Sequence, residues 1–397
     1  MRLVSFQVAA LAACGALLAV TPSASVAASH CPSNGAGCSL ADVARETGIF
    51  AGTAISNEMT ATELSDARAN FNAVTSENAF KWDQMSRTQG TTRFDQTDAL
   101  VDWTVANKMR LRAHNLFWHR IQMPQWVTQA LATSSNPAAT LRQLMTERIN
   151  TVVGRYRGKV AIYDVVNEPL KLFGTGYDVE DSSLTPKNIF YTTLGEGYIG
   201  EAFRLTHKAD PKAKLFLNEL LWDARIGDPK SDSLLALIKR LKRAKVPIDG
   251  VGLQTHALLG VKSPLFPSTT SSLKKYIEAL GRLGVKVEIT ELDVRLPLLK
   301  NEPNPIAAQA AIYRRIASAC GQAAPCSGLT VWGQRDSDSW LDSYSLTRAT
   351  APNQPLLLSN TGRRKPAYNA VNAGLLERCR SDRSRRPCST SWPSAAR

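Results

Sequence analysis

Two glutamates in this chain are placed to work as a chemical pair. Glu168 closes the run Asp164-Val165-Val166-Asn167-Glu168, and Glu291 sits in Ile289-Thr290-Glu291-Leu292-Asp293. Both runs have the apolar, β-branched character of strands. Two carboxyl groups facing one cleft are the minimum set for breaking a glycosidic bond. One must be protonated, to donate to the leaving oxygen; the other must be ionised, to attack the anomeric carbon or to activate water. Glu291 and Asp293 are two residues apart, as are Gln254 and His256, so on strands each pair shares a face. A network of His256, Glu291 and Asp293 would keep Glu291 ionised. Glu168, beside the amide of Asn167, is then the group expected to be kept protonated for general acid work.

Other residues of the same kind recur along the chain. Glu77 and Asn78 precede Lys81; His114, Trp118 and His119 follow one another closely; Asn218-Glu219, Trp332 and Trp340 come later. Taken singly, each has an ordinary explanation. A lone glutamate is usually a surface ion-pair partner, a lone histidine a structural hydrogen-bonder, a lone tryptophan part of the core. What weighs against that explanation is where they fall. Eight strand-like runs can be drawn: 49–55, 73–78, 110–118, 160–168, 213–219, 250–257, 286–294 and 328–334. Seven of the eight end in polar or aromatic groups.

The stretches between these runs have helical spacing. Leu234, Leu235, Leu237, Ile238 and Leu241 mark one helix over 231–244, stopped by Val246-Pro247. Eight strands alternating with helices predict an α/β fold with parallel pairing. A doubly wound open sheet is the alternative, but the count and length favour a closed (β/α)8 TIM barrel forming a single catalytic domain. No Gly-rich phosphate fingerprint follows the first strand. In a barrel the strand ends form the active face, which is where the candidate residues fall.

The 397 residues carry a formal net charge of +14, much of it near the C-terminus. No aromatic interleaving or nucleic-acid motif accompanies that charge, so a nucleic-acid partner is not expected. Residues 1–28 have a positive start, an apolar core and small residues at Ser25-Val26-Ala27-Ala28, as an export signal does. Leu11-Ala12-Ala13-Cys14-Gly15 resembles a lipoprotein box, but the apolar run continues past it. The expectation is a soluble, secreted monomer (extracellular or periplasmic), with membrane association only if Cys14 is lipidated. The catalytic domain is expected over 29–378 and a flexible basic tail over 379–397. The remaining cysteines fall in three local pairs, predicting disulfides Cys31–Cys38, Cys320–Cys326 and Cys379–Cys388.

In order and placement these motifs resemble glycoside hydrolase family 10, the endo-β-1,4-xylanases, from about residue 47 to 376. Phe71 to Trp82, Arg112 to His119, Asp164 to Glu168, Gln254-Thr255-His256, Ile289 to Asp293 and Leu329 to Gly333 carry the resemblance. The resemblance implies a retaining mechanism on xylan or xylo-oligosaccharides, with Glu168 as acid/base and Glu291 as nucleophile, about 5–5.5 Å apart. It implies that Glu77, Asn78 and Lys81 hold the sugar two units from the cut. His114, Trp118, Asn167, Gln254, His256, Trp332 and Trp340 would surround the sugar at the cut, with Asp293 and His119 supporting. No cofactor or metal is implied. The chain departs from the family where Ala113 replaces Gly, Tyr163 replaces Trp, Leu220 replaces Tyr, and Arg120 replaces a small polar residue.

Three rivals are distinct. A metal-dependent hydrolase needs converging ligands, but His114 and His119 are five apart, on opposite faces of a regular strand. A non-catalytic polysaccharide-binding barrel has no need of both glutamates. A retaining enzyme acting on β-1,4-glucan or mixed-linkage glucan would share the whole motif set.

Overall fold

The computed structural model describes residues 30–182, 185–257, 269–343 and 352–381. Its strands are β1 (Phe50–Ile55), β2 (Ala73–Ser76), β3 (Arg110–Ala113), β4 (Ile162–Asn167), β5 (Lys214–Glu219), β6 (Gly250–Leu253), β7 (His256–Ala257), β8 (Lys286–Val294) and β9 (Cys326–Val331). All pairings are parallel, and neighbours run in sequence from β1 to β6. β6 then pairs with β8, β8 with β9, and β9 with β1. The sheet therefore closes on itself as an eight-stranded barrel with helices between the strands. This excludes the open, doubly wound sheet, which would leave two free edges. β7 is a two-residue outpost that sets His256 opposite Asp293 on β8.

Strands covered on both faces must be apolar or internally paired. β4 is buried along its whole length. Its Asp164 lies inside the barrel and takes two hydrogen bonds from the Arg112 guanidinium, at 2.6 and 3.0 Å. Arg112 also reaches Glu288 at 2.9 Å, and Glu288 receives Arg110 at 2.8 Å. Opposite charges satisfy one another here, as buried charges must.

The helices start and stop where their sequences dictate. Asp228 caps the helix Pro229–Arg243 by accepting from the Ser231 amide, and proline occupies its first turn. Leu234, Leu237, Ile238 and Leu241 form its buried stripe. The helix Pro305–Gln322 is capped in the same way by Asn304. At its far end Arg378 donates to the carbonyls of Cys320, Gly321, Ala323 and Cys326, satisfying groups that a helix terminus and the following turn leave open.

Several boundaries differ from the sequence expectation. β3 stops at Ala113 rather than Trp118, because the backbone leaves regular pairing there and meets β4 again only through Leu116 and Phe117. The run 250–257 is broken at Thr255, which adopts a left-handed φ of 55°. The compact part continues past 378: the helix Glu377–Ser381 packs on, and Arg380 bonds the Ser33 carbonyl at 3.0 Å. Disulfides Cys31–Cys38 and Cys320–Cys326 are formed. Cys379 is disulfide-bonded as well, while Cys388, Cys14 and the expected export signal lie outside the described residues. Among the described residues, no helix is long and apolar enough to cross a membrane.

Candidate active site

Glu168 follows β4 directly and has a φ of 50°. A non-glycine residue in this region costs on the order of 1–2 kcal/mol, and such residues cluster at functional sites. Its amide donates to the Asn218 carbonyl on β5 at 2.8 Å, which fixes the turn and points the side chain into the barrel mouth. Glu291 arrives from β8, 4% exposed.

A chain of amides joins the two carboxyls. Gln254 Nε2 donates to Glu168 Oε1 at 2.9 Å and approaches Asn167 Oδ1 at 3.3 Å. Asn218 Nδ2 donates to the same Asn167 oxygen at 2.8 Å and to Glu291 Oε1 at 2.6 Å. Thr290 Oγ1 donates to Asn218 Oδ1 at 2.8 Å, which sets the orientation of that amide. Gly252 leaves room for it: a Cβ there would meet Asn218 Oδ1 at 2.1 Å.

The other oxygen of Glu291 receives His256 Nε2 at 3.0 Å, and His256 Nδ1 meets Asp293 Oδ2 at 2.9 Å. Burial opposes the imidazolium, but Asp293 and Glu291 overcome it and push His256 up to about 10. Burial likewise opposes the Glu291 carboxylate. His114, His256 and Asn218 outweigh burial and hold Glu291 below the ordinary carboxylate range. The predicted His256–Glu291–Asp293 network is thus present. Trp340 Nε1 also donates to Asp293 Oδ2 at 3.2 Å, and the rings of Trp332 and Trp340 flank His256.

On one side of this pair, Lys81 Nζ donates to Asn78 Oδ1 at 2.9 Å and lies 5.1 Å from the Trp118 ring centroid. Burial lowers the Lys81 ammonium and raises the Glu77 carboxyl, each offset in part by the other's charge. His114 binds Asp164 through Nδ1 at 3.0 Å, so the interior ion-pair network reaches the site floor.

On the other side stands a group that sequence reasoning singled out only as a departure. Arg120 Nε makes an ion pair with Glu168 Oε2 at 2.8 Å. Arg120 Nη2 bonds the Leu170 carbonyl at 2.9 Å and contacts Asp178 at 3.2 Å. A carboxyl that donates a proton from this position does so beside a positive charge. His119 sits behind, 3.5 Å from Asp178, and so joins the Glu168 side rather than the Glu291 network; burial lowers its imidazole.

All twelve predicted catalytic and substrate-binding residues line one cavity of about 390 Å³. Asp293 and His119 lie behind its wall. The wall also includes Gln122, Leu172 and Thr185, from loops whose course no strand pattern discloses. Asn218 was visible only as a polar strand end; its grip on Glu291 emerges from pairing between β4, β5 and β6.

The closed barrel and the paired carboxyls define a glycoside hydrolase: the carboxyls differ in their charged neighbours, and indole and amide groups suited to sugars surround them. Residues 39–373 match the family model for Glycosyl hydrolase family 10, and the chain belongs to that family. It is 33% identical over 331 residues to endo-1,4-beta-xylanase A of Phanerodontia chrysosporium, covering 82% of this chain and 74% of the relative. With endo-1,4-beta-xylanase 2 of Claviceps purpurea it shares 34% identity over 93% of this chain and 98% of the relative. Among solved structures, native xylanase 10B from Thermotoga maritima superposes with a TM-score of 0.73 at 29% identity, covering 86% of this chain and 99% of that one. Xylanase 10B from Thermotoga petrophila RKU-1, solved in complex with xylobiose, gives 0.72 at 30% identity, covering 85% and 97%.

Proposed function

We propose that this protein hydrolyses internal β-1,4-xylosidic bonds of xylan with retention of configuration. Glu168 serves as acid/base and Glu291 as nucleophile. In the first step Glu291 attacks the anomeric carbon while Glu168 gives its proton to the glycosidic oxygen, and the leaving half of the chain departs. In the second, Glu168 takes a proton from water, the water oxygen attacks the anomeric carbon, and Glu291 is released. The carboxyls in such a mechanism stand about 5–5.5 Å apart.

The observation that carries this reading is the asymmetry of the pair. Glu291 is buried, held on one oxygen by Asn218 and on the other by a charged His256, as an ionised nucleophile requires. Glu168 also meets an amide and a cation, Gln254 at 2.9 Å and Arg120 at 2.8 Å, but it sits on the turn after β4 rather than within a strand, beside Leu172 and Leu220 on the leaving-group side. Lys81, Asn78 and Glu77 lie on the opposite wall and are assigned to the sugar two units from the cut. His114, Trp118, Asn167, Gln254, His256, Trp332 and Trp340 are assigned to the sugar at the cut. We assign Asp293 and His119 to positioning, and the two carboxyls carry the chemistry without a cofactor. The disulfides fit an oxidising compartment, and the protein is proposed to act as a secreted monomer on xylan or xylo-oligosaccharides.

Release of reducing ends from glucuronoxylan and from carboxymethylcellulose, by wild type and Glu291→Ala side by side, tests the reading. Cleavage of xylan alone, abolished by the substitution, is the expected result. Activity confined to the glucan would transfer the same mechanism to a β-1,4-glucan. Inactivity of folded wild type on both would return the chain to a non-catalytic polysaccharide binder.

A further inference from the structure

An endo-acting enzyme must hold sugars on both sides of the cut, and the leaving-group side of this cleft has an aliphatic start. Leu172 and Leu220 form its wall beside Glu168. Leu220 is 8% exposed and offers no ring. An aromatic residue follows close on each of these leucines, Phe173 directly after Leu172 and Trp222 two residues after Leu220. The two rings stack on each other, 5.2 Å between centroids and 6° from coplanar. Trp222 Nε1 donates to the Leu172 carbonyl at 2.7 Å, tying the loop after β4 to the loop after β5. Phe173 nonetheless remains 48% exposed, one of a few large apolar side chains so open among the described residues.

A single exposed ring is ordinary on a protein surface; this one is held flat by a second ring whose indole is bonded to the cleft residue Leu172, so it presents a preformed apolar face. Trp222 covers one part of the Phe173 ring and fixes its orientation. The substrate of the proposed reaction is a linear polymer leaving the cleft past Leu172 and Leu220. Sugar rings have apolar C–H faces that lie flat on aromatic rings. We infer that Phe173, braced by Trp222, is a stacking platform for a xylosyl unit on the leaving-group side, beyond the sugar that borders Leu220. Phe173 is the contact residue and Trp222 the positioning residue. The inference rests on the proposed xylanase activity and adds to it a preference for substrates that extend at least two units past the cut.

The test compares two substrates. A 4-nitrophenyl β-xylobioside places only the nitrophenyl group on the leaving-group side and cannot reach the platform. Xylohexaose can. Phe173→Ala alters an exposed position and is expected to lower kcat/KM on xylohexaose roughly tenfold, the size of one lost aromatic stacking contact. The aryl xylobioside rate should stay unchanged, and Phe173→Tyr should restore the oligosaccharide rate. Trp222→Ala should reproduce the loss more weakly, because Phe173 survives without its brace. Equal rates for Phe173→Ala and wild type on xylohexaose would overturn the platform while leaving the xylanase reading intact, as would equal losses on both substrates. Inactivity of wild type on both would overturn the xylanase reading and the platform together.

Discussion

His256 ties the stability of this barrel to pH in a way that can be measured. Its ring is clamped between Asp293 at 2.9 Å and Glu291 at 3.0 Å, and its ionisation is pushed up to about 10 from an ordinary 6.5. Each unit of that separation is worth about 1.36 kcal/mol at 25 °C, so the clamp stabilises the charged ring by on the order of 5 kcal/mol. A group whose ionisation is raised in the folded state contributes fully below its unfolded value. The contribution therefore stands whole below about pH 6.5 and is lost as the pH climbs toward 10. Urea unfolding of wild type and His256→Asn at pH 6 and pH 10 isolates this effect, since groups outside the His256–Glu291–Asp293 clamp titrate alike in both proteins. Wild type should lose several kcal/mol more than the variant between the two pH values. Parallel losses would refute the argument, because they would mean that no proton on His256 is held by its neighbours.

Two further substitutions probe the frame and the chemistry. Glu219 is fully buried; its carboxylate pairs with Lys230 at 3.0 Å and accepts from the amide of Leu170 at 3.1 Å. Burial already raises that carboxyl, so Lys230→Ala strands it and should cost about 3–5 kcal/mol in urea unfolding, less at acidic pH where the carboxyl is neutral; a loss below about 1 kcal/mol would show that the pair is not structural. Glu168→Ala should slow xylan hydrolysis by about 10²–10⁴ but spare the first step on a dinitrophenyl xylobioside, whose leaving group needs no proton; equal losses on both, seen in pre-steady-state release of the dinitrophenolate, would remove Glu168 from the acid role.

The catalytic face is legible in the sequence because a strand's two-residue period is simple. Glu291 and Asp293 share a face of β8, and His256 on β7 joins them in a hydrogen-bonded network; Gln254 reaches the same cleft from the other side of the break at Thr255, where the two-residue period does not apply. The glycone wall is legible for a similar reason: Glu77, Asn78 and Lys81 lie within one turn after β2. What the sequence hides depends on contacts between segments far apart along the chain. Asn218 is one polar strand end among several until β5 sets it between Asn167 and Glu291. Arg120 is an unusual residue with no visible partner until the loop after β4 returns with Asp178, 58 positions along. The end of β3 is misplaced by sequence because Leu116 and Phe117 look like strand and keep some pairing, yet the backbone has already left the ladder. His119 is displaced with it and serves the Glu168 side.

The central claim is that Glu291 becomes covalently bonded to the sugar. A 2-deoxy-2-fluoro xylobioside with a dinitrophenyl leaving group should trap that bond, because fluorine destabilises the oxocarbenium-like transition state of the second step more than the activated leaving group allows it to slow the first. Mass spectrometry of the peptides should then find one added fluoroxylobiosyl group, on the segment holding Glu291. A label on any other carboxylate would contradict the account, as would an unlabelled protein that still cleaves xylan.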